Sequence, residues 1–274
     1  MKTKSLNTGT DNLCYAGQWI LETDENSLDN IPKKFEAPIK EIRRKTIVES
    51  AKVAERCQRN FDLTSPVPAN DIQTIINACT TMPSKQNIAY YDLIVSTDLA
   101  FNRVCYNVAI DPTDDTFQGG RATSHQNGQV IAPLLLIYLR RPIDVMIETY
   151  IKTNNVQIDD PHNDRYKSTE DLILEVKCQF PMSVGISSGT ASFSAAMLGY
   201  KTGFCACIDA PALISLLATK MQLPIDAFPA GDDSFPLLLG IGKPTEHDRK
   251  LVIVDDKIVM EADTTDKEVP VRYI

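Results

Sequence analysis

The sequence predicts a globular chain of mixed helix and strand, and three observations carry that prediction. Stretches with apolar residues at helical spacing alternate with short, continuously apolar runs, and proline or glycine marks many of the joins. The composition is that of an ordinary folded protein, 43% hydrophobic and 23% charged over 274 residues, enough chain to bury a sizeable core in one large domain or two small ones. A net charge of -8 and a pI near 5.0 provide no basic face to neutralise phosphates in bulk. Nucleic acid is thereby disfavoured as a partner, and small molecules or a second copy of the chain are expected instead.

Seven cysteines stand at positions 14, 57, 79, 105, 178, 205 and 207, with no Cys-x-x-Cys pair to build a zinc site, so no metal is expected. Buried free thiols in a reducing compartment are the default reading. The polar start, Met1 to Asp11, lacks the apolar core of a signal peptide, and the longest apolar run, Ile131 to Leu139, is too short to span a bilayer. The expectation is a cytoplasmic protein with no membrane partner.

In chain order, residues 1–37 are polar and without a sustained period, with Pro32 and Pro38 interrupting them; an extended arm is expected, with a short helix around Tyr15 to Glu22. Ile39, Ile42, Thr46, Ile47, Val53 and Ala54 form a helical stripe that runs into Glu55-Arg56-Cys57-Gln58-Arg59-Asn60-Phe61. Two arginines three apart can share one side, and their planar guanidinium forks suit a phosphate; a solvated basic helix end fits the same residues. A helix start follows, with Asn70 or Ala69 near the cap and Ile72, Ile75, Ile76 and Cys79 toward the core, ending by Pro83. The polar loop Ser84 to Asn87 then feeds a strand rich in β-formers up to Val95. Leu99 to Val108 reads as helix. Asp111 to Gln129, with Gly119-Gly120, Arg121 and His125, is long, polar and patternless and reads as a surface loop.

Ile131 to Leu139 is a buried strand by its unbroken apolar character. Residues 140–168 read as a polar connection; Asp159, Asp160, His162 and Asp164 match no metal-ligand spacing, and a solvated acidic loop is expected. From Ser183 to Phe204, small residues at Gly185, Ser188, Gly189, Ser192, Ala195 and Ala196 recur at three and four residues, a helix face for close approach, whether in a core or at a subunit interface. Asp209 caps a further helix with Pro211 in its first turn. Phe235 to Pro244 is a buried strand stopped by glycines, and Leu251 to Ala262 is a hairpin around Asp255-Asp256, followed by a tail to Ile274. Cys207 has no base spaced nearby and reads as a packed thiol rather than a nucleophile.

Four of these stretches, in this order and together covering about residues 45–250, resemble the nitroreductase family of flavin enzymes. Pro83, Ser84 and Asn87 match a loop of the form Pro-Ser-small-any-Asn, with Lys85 at the small position and Ala89 and Tyr91 replacing Gln and Trp. Arg56, Arg59 and Phe61 match Arg-Arg-Ser-x-Arg-x-Phe, with Glu55 and Cys57 departing from its first Arg and its Ser. Leu198-Gly199 matches the end of a long dimer helix, and Gly240-x-Gly242-x-Pro244 the close of the last strand.

The resemblance implies an α+β, nitroreductase-like fold: a mixed, largely antiparallel sheet flanked by helices, in an intertwined homodimer with two flavin sites built from both chains. With the readings above, the chain divides into an N-terminal arm (1–37), a nitroreductase-like FMN-binding domain (38–250) that the resemblance implies, and a C-terminal hairpin and arm (251–274). It implies that Arg56, Arg59 and Arg249, with Lys250 beside the last, hold the FMN phosphate, and that Cys57 stands in its Ser position. Pro83, Ser84, Lys85 and Asn87 meet the ribityl chain and ring of a flavin bound mainly by the other subunit, with Lys85 near the N1–C2 edge. Asn127 or His125 reaches the ring, and a backbone N–H at Ala206 or Cys207 faces N5. No side chain is then catalytic, because the flavin carries the chemistry: hydride from NAD(P)H to N5, then to a nitroaromatic, quinone or similar small-molecule acceptor. Other readings are a same-fold flavin enzyme with other chemistry (dehalogenation, flavin cleavage, ring oxidation), a flavin-binding protein without turnover, and a flavin-free structural dimer.

Overall fold

The computed structural model describes residues 33–109, 127–154, 168–229, 236–245, 251–254, 257–260, 270 and 272. The chain divides into two compact units, residues 1–42 and 43–274. Helix α1, Lys33–Ala54, carries residues of both. It passes through Pro38, where an interruption was expected. The first four N–H groups of a helix have no intrahelical partner, so a proline just beyond them costs one hydrogen bond rather than a break in mid-helix.

The second unit is built on a four-stranded sheet of β1 (Tyr91–Ser96), β2 (Leu134–Arg140), β3 (Lys201–Cys205) and β4 (Leu237–Gly242), in the order β1-β2-β4-β3. Every pairing in it is antiparallel, with Val95 opposite Leu136, Leu136 opposite Leu239, and Leu239 opposite Phe204. All seven residues of β2 are buried. Leu134, Leu136 and Tyr138 pack with residues of α2 (Ala69–Thr80), α4 (Ile143–Asn154) and α5 (Thr169–Met197), including Ile75, Met146 and Val176. Leu135, Ile137 and Leu139 pack with residues of α3 (Leu99–Tyr106) and α6 (Ala210–Met221), including Phe101, Leu213 and Leu217. Helices on both faces explain why this strand reads as a continuous apolar run rather than an alternation.

Several boundaries differ from expectation for identifiable reasons. Strand β2 starts at Leu134 because Pro133 has no N–H for the ladder, and the polar stretch before it closes in a single 3-10 turn, Gly128–Val130. Residues 143–154, expected as part of a polar loop, form α4, which buries Met146 and Tyr150. Helix α5 begins well before Ser183: Ser168 accepts from the Asp171 N–H while the Asp171 carboxylate accepts from the Ser168 N–H, a reciprocal cap. At its far end Gly199, with φ 84°, turns the chain into β3 in a conformation that other residues rarely adopt. Asp209 caps α6 through the Ala212 N–H at 3.0 Å, as expected. Strands β5 (Leu251–Val254) and β6 (Lys257–Met260) form the C-terminal hairpin. The helix expected near Tyr15 and the acidic group Asp159, Asp160, His162 and Asp164 lie outside the described residues. Among those residues, no helix is long and apolar enough to cross a membrane.

Candidate functional site

The residues singled out in the sequence gather in two places. The first is the outer edge of β3. There the segment after α1 runs alongside: the Gln58 N–H donates to the Thr202 carbonyl at 2.8 Å, and the Cys57 thiol lies 3.6 Å from the Phe204 carbonyl. The same carbonyl accepts from Gln129 Nε2 at 3.0 Å. Phe61 is buried and bridges to Pro244, which fastens the segment to the end of β4. The fit is close. A methyl at Gly203 would strike the Gln58 carbonyl oxygen and come within 2.5 Å of Gln129 Cβ, and one at Gly128 would sit 3.1 Å from the Arg59 carbonyl oxygen.

Two polar atoms sealed in this edge find no hydrogen-bond partner among the described residues: Arg59 Nε, a donor, and Gln129 Oε1, an acceptor. Because Gln129 Nε2 donates to two oxygens, Phe204 O and Asn127 Oδ1 (3.2 Å), the orientation of its amide is fixed. Buried groups of this kind each cost about 1–3 kcal/mol when unpaired, so two of them at one sheet edge, from sequence-distant segments, mark a place where a ligand would be accommodated. Asn127 donates from Nδ2 to the Ala109 carbonyl at 3.1 Å and accepts from Gln129, closing the ends of the long intervening segment. Gln129 is the functional candidate that sequence reasoning missed. Ala206 and Cys207 follow β3 in an exposed connection, and their N–H groups have no acceptor among the described residues. Just before them, burial pushes the Cys205 thiol up to about 12, so it stays protonated and unreactive at neutral pH. Cys57, Cys178 and Cys207 are exposed, against the expectation of buried thiols and of a packed Cys207, because each lies on a solvent-facing side of its segment; Glu55 and Arg56 are exposed too. Arg249 and His125 lie outside the described residues.

The second place is the loop between α2 and β1, beside the opposite edge of the sheet. Gln86 and Asn87 are both left-handed, each with φ 57°. Asparagine tolerates that region, glutamine much less, and such strain is typical of binding loops. The loop is pinned by the Asn87 N–H on the Ser84 carbonyl (3.1 Å), the Ile88 N–H on the Lys85 carbonyl (3.2 Å), and the Ser84 hydroxyl on the Ile88 carbonyl (2.7 Å). The Ser84 oxygen keeps its lone pairs, and Pro83 and Asn87 are exposed. Lys85 does not reach outward: its ammonium pairs with Glu175 of α5, which also accepts from Gln179 Nε2 at 2.9 Å.

Strands β1 and β3 are the two edges of a four-stranded sheet, so the two places are separated by three strand spacings, roughly 14 Å. Among the described residues, no group of three metal-ligating side chains is found. The unpaired donor and acceptor fit a flavin mononucleotide, which offers hydroxyls, a ring N–H, carbonyls and a phosphate.

No family model matches the chain, and no curated protein matches it either. Solved structures do. The NfrA2 protein of B. megaterium superposes with a TM-score of 0.50 at 20% identity, over 75% of this chain and 69% of that one. A candidate nitroreductase of Exiguobacterium sibiricum 255-15, solved in complex with FMN, does so at 0.50 and 16% identity, over 76% of this chain and 92% of that one. The antiparallel sheet, the helices on both its faces and these superpositions agree: the chain has the nitroreductase-type fold.

Proposed function

We propose that the protein is a nitroreductase-family oxidoreductase that binds FMN and acts as a homodimer. The observation that carries this reading is the two buried polar atoms left unpaired at the β3 edge, Arg59 Nε and Gln129 Oε1. When bound there, FMN would supply hydride transfer at N5, from NADH or NADPH to a nitroaromatic, quinone or similar acceptor. The chain's own part is to bind and orient. Arg59, with Arg56 and Arg249, would hold the phosphate end by charge-assisted hydrogen bonds. Gln129 Oε1 would accept from a hydroxyl or ring N–H, and the free N–H groups of Ala206 and Cys207 would fix the ring edge.

The separation of the two places supports a site completed by a second copy, whose Ser84–Asn87 loop would cover the flavin held at the β3 edge. Helix α5 supports the same assembly. Its buried side includes Val176, Phe180, Val184 and Ala191, while Leu174, Met182 and Ile186 stand 63%, 52% and 46% exposed on the other. Gly185 and Gly189 on that outer side have nothing within 4 Å of where a side chain would begin, so another backbone could approach closely. A cytoplasmic setting belongs to the same proposal, in keeping with free thiols at all six described cysteines.

The test is the visible spectrum of the purified protein with FMN, before and after adding NADH or NADPH without air, together with its mass in solution. Bound-flavin bands that bleach, on a particle of twice the chain mass, are the expected result. A protein that takes up no FMN overturns the reading.

A further inference from the structure

The chain places a lysine where the family loop has a small residue, yet the fold turns that lysine back on itself. Lys85 and Glu175 are each three-quarters or more buried, with 24% and 20% of their side chains exposed, and Glu175 is further held by Gln179 one helical turn along α5. An ion pair in such a setting is poorly screened, and removing one partner leaves the other as an uncompensated charge.

We propose that Glu175 is a positioning residue that sets the reduction potential of a flavin at the Ser84–Asn87 loop, by holding the Lys85 ammonium against α5 and cancelling its charge. The inference rests on the reading that this loop covers a flavin. The reduced flavin carries negative charge at its N1–C2 edge, so a cation facing the loop favours reduction and an anion opposes it. In the native pair the two nearly cancel. Glu175, held by Gln179, thus decides how much of the Lys85 charge the cofactor experiences.

The chemistry of the pair supplies the test. In Glu175→Gln the amide oxygen can still accept from Lys85 and Gln179, so geometry is retained and only the negative charge is removed. In Lys85→Met the carboxylate remains, held by Gln179, and only the positive charge is removed. The measurement is the midpoint potential of FMN bound to the full-length protein, by dye-coupled reduction without air. The expected result is a shift to more positive potential in Glu175→Gln, a shift to more negative potential in Lys85→Met, and a return toward the native value in the double variant. A salt bridge that merely braces the loop would move both single variants in the same direction or neither, and that result overturns the inference while flavin binding stands. Failure of the native protein to bind FMN overturns the functional reading and this inference with it.

Discussion

The two halves of the candidate site are made by different physics. The β3 edge is a matter of fit: Gly203 and Gly240 are tucked so closely under Gln58 and Gln129 that neither has room for a methyl group. The Ser84–Asn87 loop is a matter of tension, with two left-handed residues held by local hydrogen bonds and one ion pair to α5. A fitted surface is intolerant of change and suits the part of a site that must hold a ligand in one pose. A tensioned loop tolerates change at its side chains and suits the part that adjusts chemistry.

That contrast can be broken at its strong side first. Gly203→Ala forces the Gln58 backbone away from β3, and overpacking of this kind costs about 1–3 kcal/mol. A lowered urea midpoint with loss of FMN uptake is the expected outcome, and an unchanged midpoint would show the edge to be soft. Arg59→Ala removes the buried donor without filling space. FMN binding should weaken by about 10- to 100-fold, the effect of losing one charge-assisted hydrogen bond, while the unfolding midpoint is held or raised; titration by flavin fluorescence reads this directly. On the tensioned side, Gln86→Gly relieves a left-handed side chain at the expense of a more flexible unfolded chain. The expected gain is about 0.5 kcal/mol, whereas Gln86→Val, β-branched, should lose stability.

The smallest effect concerns pH. Asp62, next to the β3-edge segment, accepts from Ser65 Oγ, Thr64 Oγ1 and the Thr64 N–H, which hold its carboxyl down at about 2 from an ordinary 3.8. A value lower in the folded state than in the unfolded one adds stability that is complete above about pH 4 and is lost as pH falls toward 2. Asp62→Asn should therefore lower the thermal midpoint slightly at pH 5 and make it less sensitive to acid between pH 4 and pH 2. Equal acid sensitivity in both proteins would remove Asp62 from the account.

What could be read from the sequence was whatever depends on neighbours along the chain. The apolar run of β2, the Asp209 cap and the helix-loop-strand passage into β1 all answer to local rules. Helix α4 follows a local rule too. Ile143, Met146, Ile147, Tyr150 and Ile151 carry the helical period, hidden among Asp144, Glu148 and Lys152. The start of α5 was likewise announced by Ser168 and Asp171 at capping-box spacing. Gln129 was not legible, since a glutamine in a polar stretch looks solvated; it is buried because Phe204, Gly203 and Gly240, far along the chain, close over it. The partner of Lys85 is 90 residues away in sequence, and no spacing rule reaches that far.

The strand order has a kinetic consequence. The central pairing, Leu136 with Leu239, joins residues about a hundred positions apart with α4 and α5 between them, so it closes against a large loop entropy that local hairpins do not face. Strands β1 and β2 lie closer in sequence and can pair before it. The edge that holds Gln58 and Gln129 against β3 can form only after that long closure, since it needs β2, β3 and β4 in register. On the proposed function, uptake of FMN should thus be among the last events of folding, and the rate at which refolding protein gains it should report completion of the sheet.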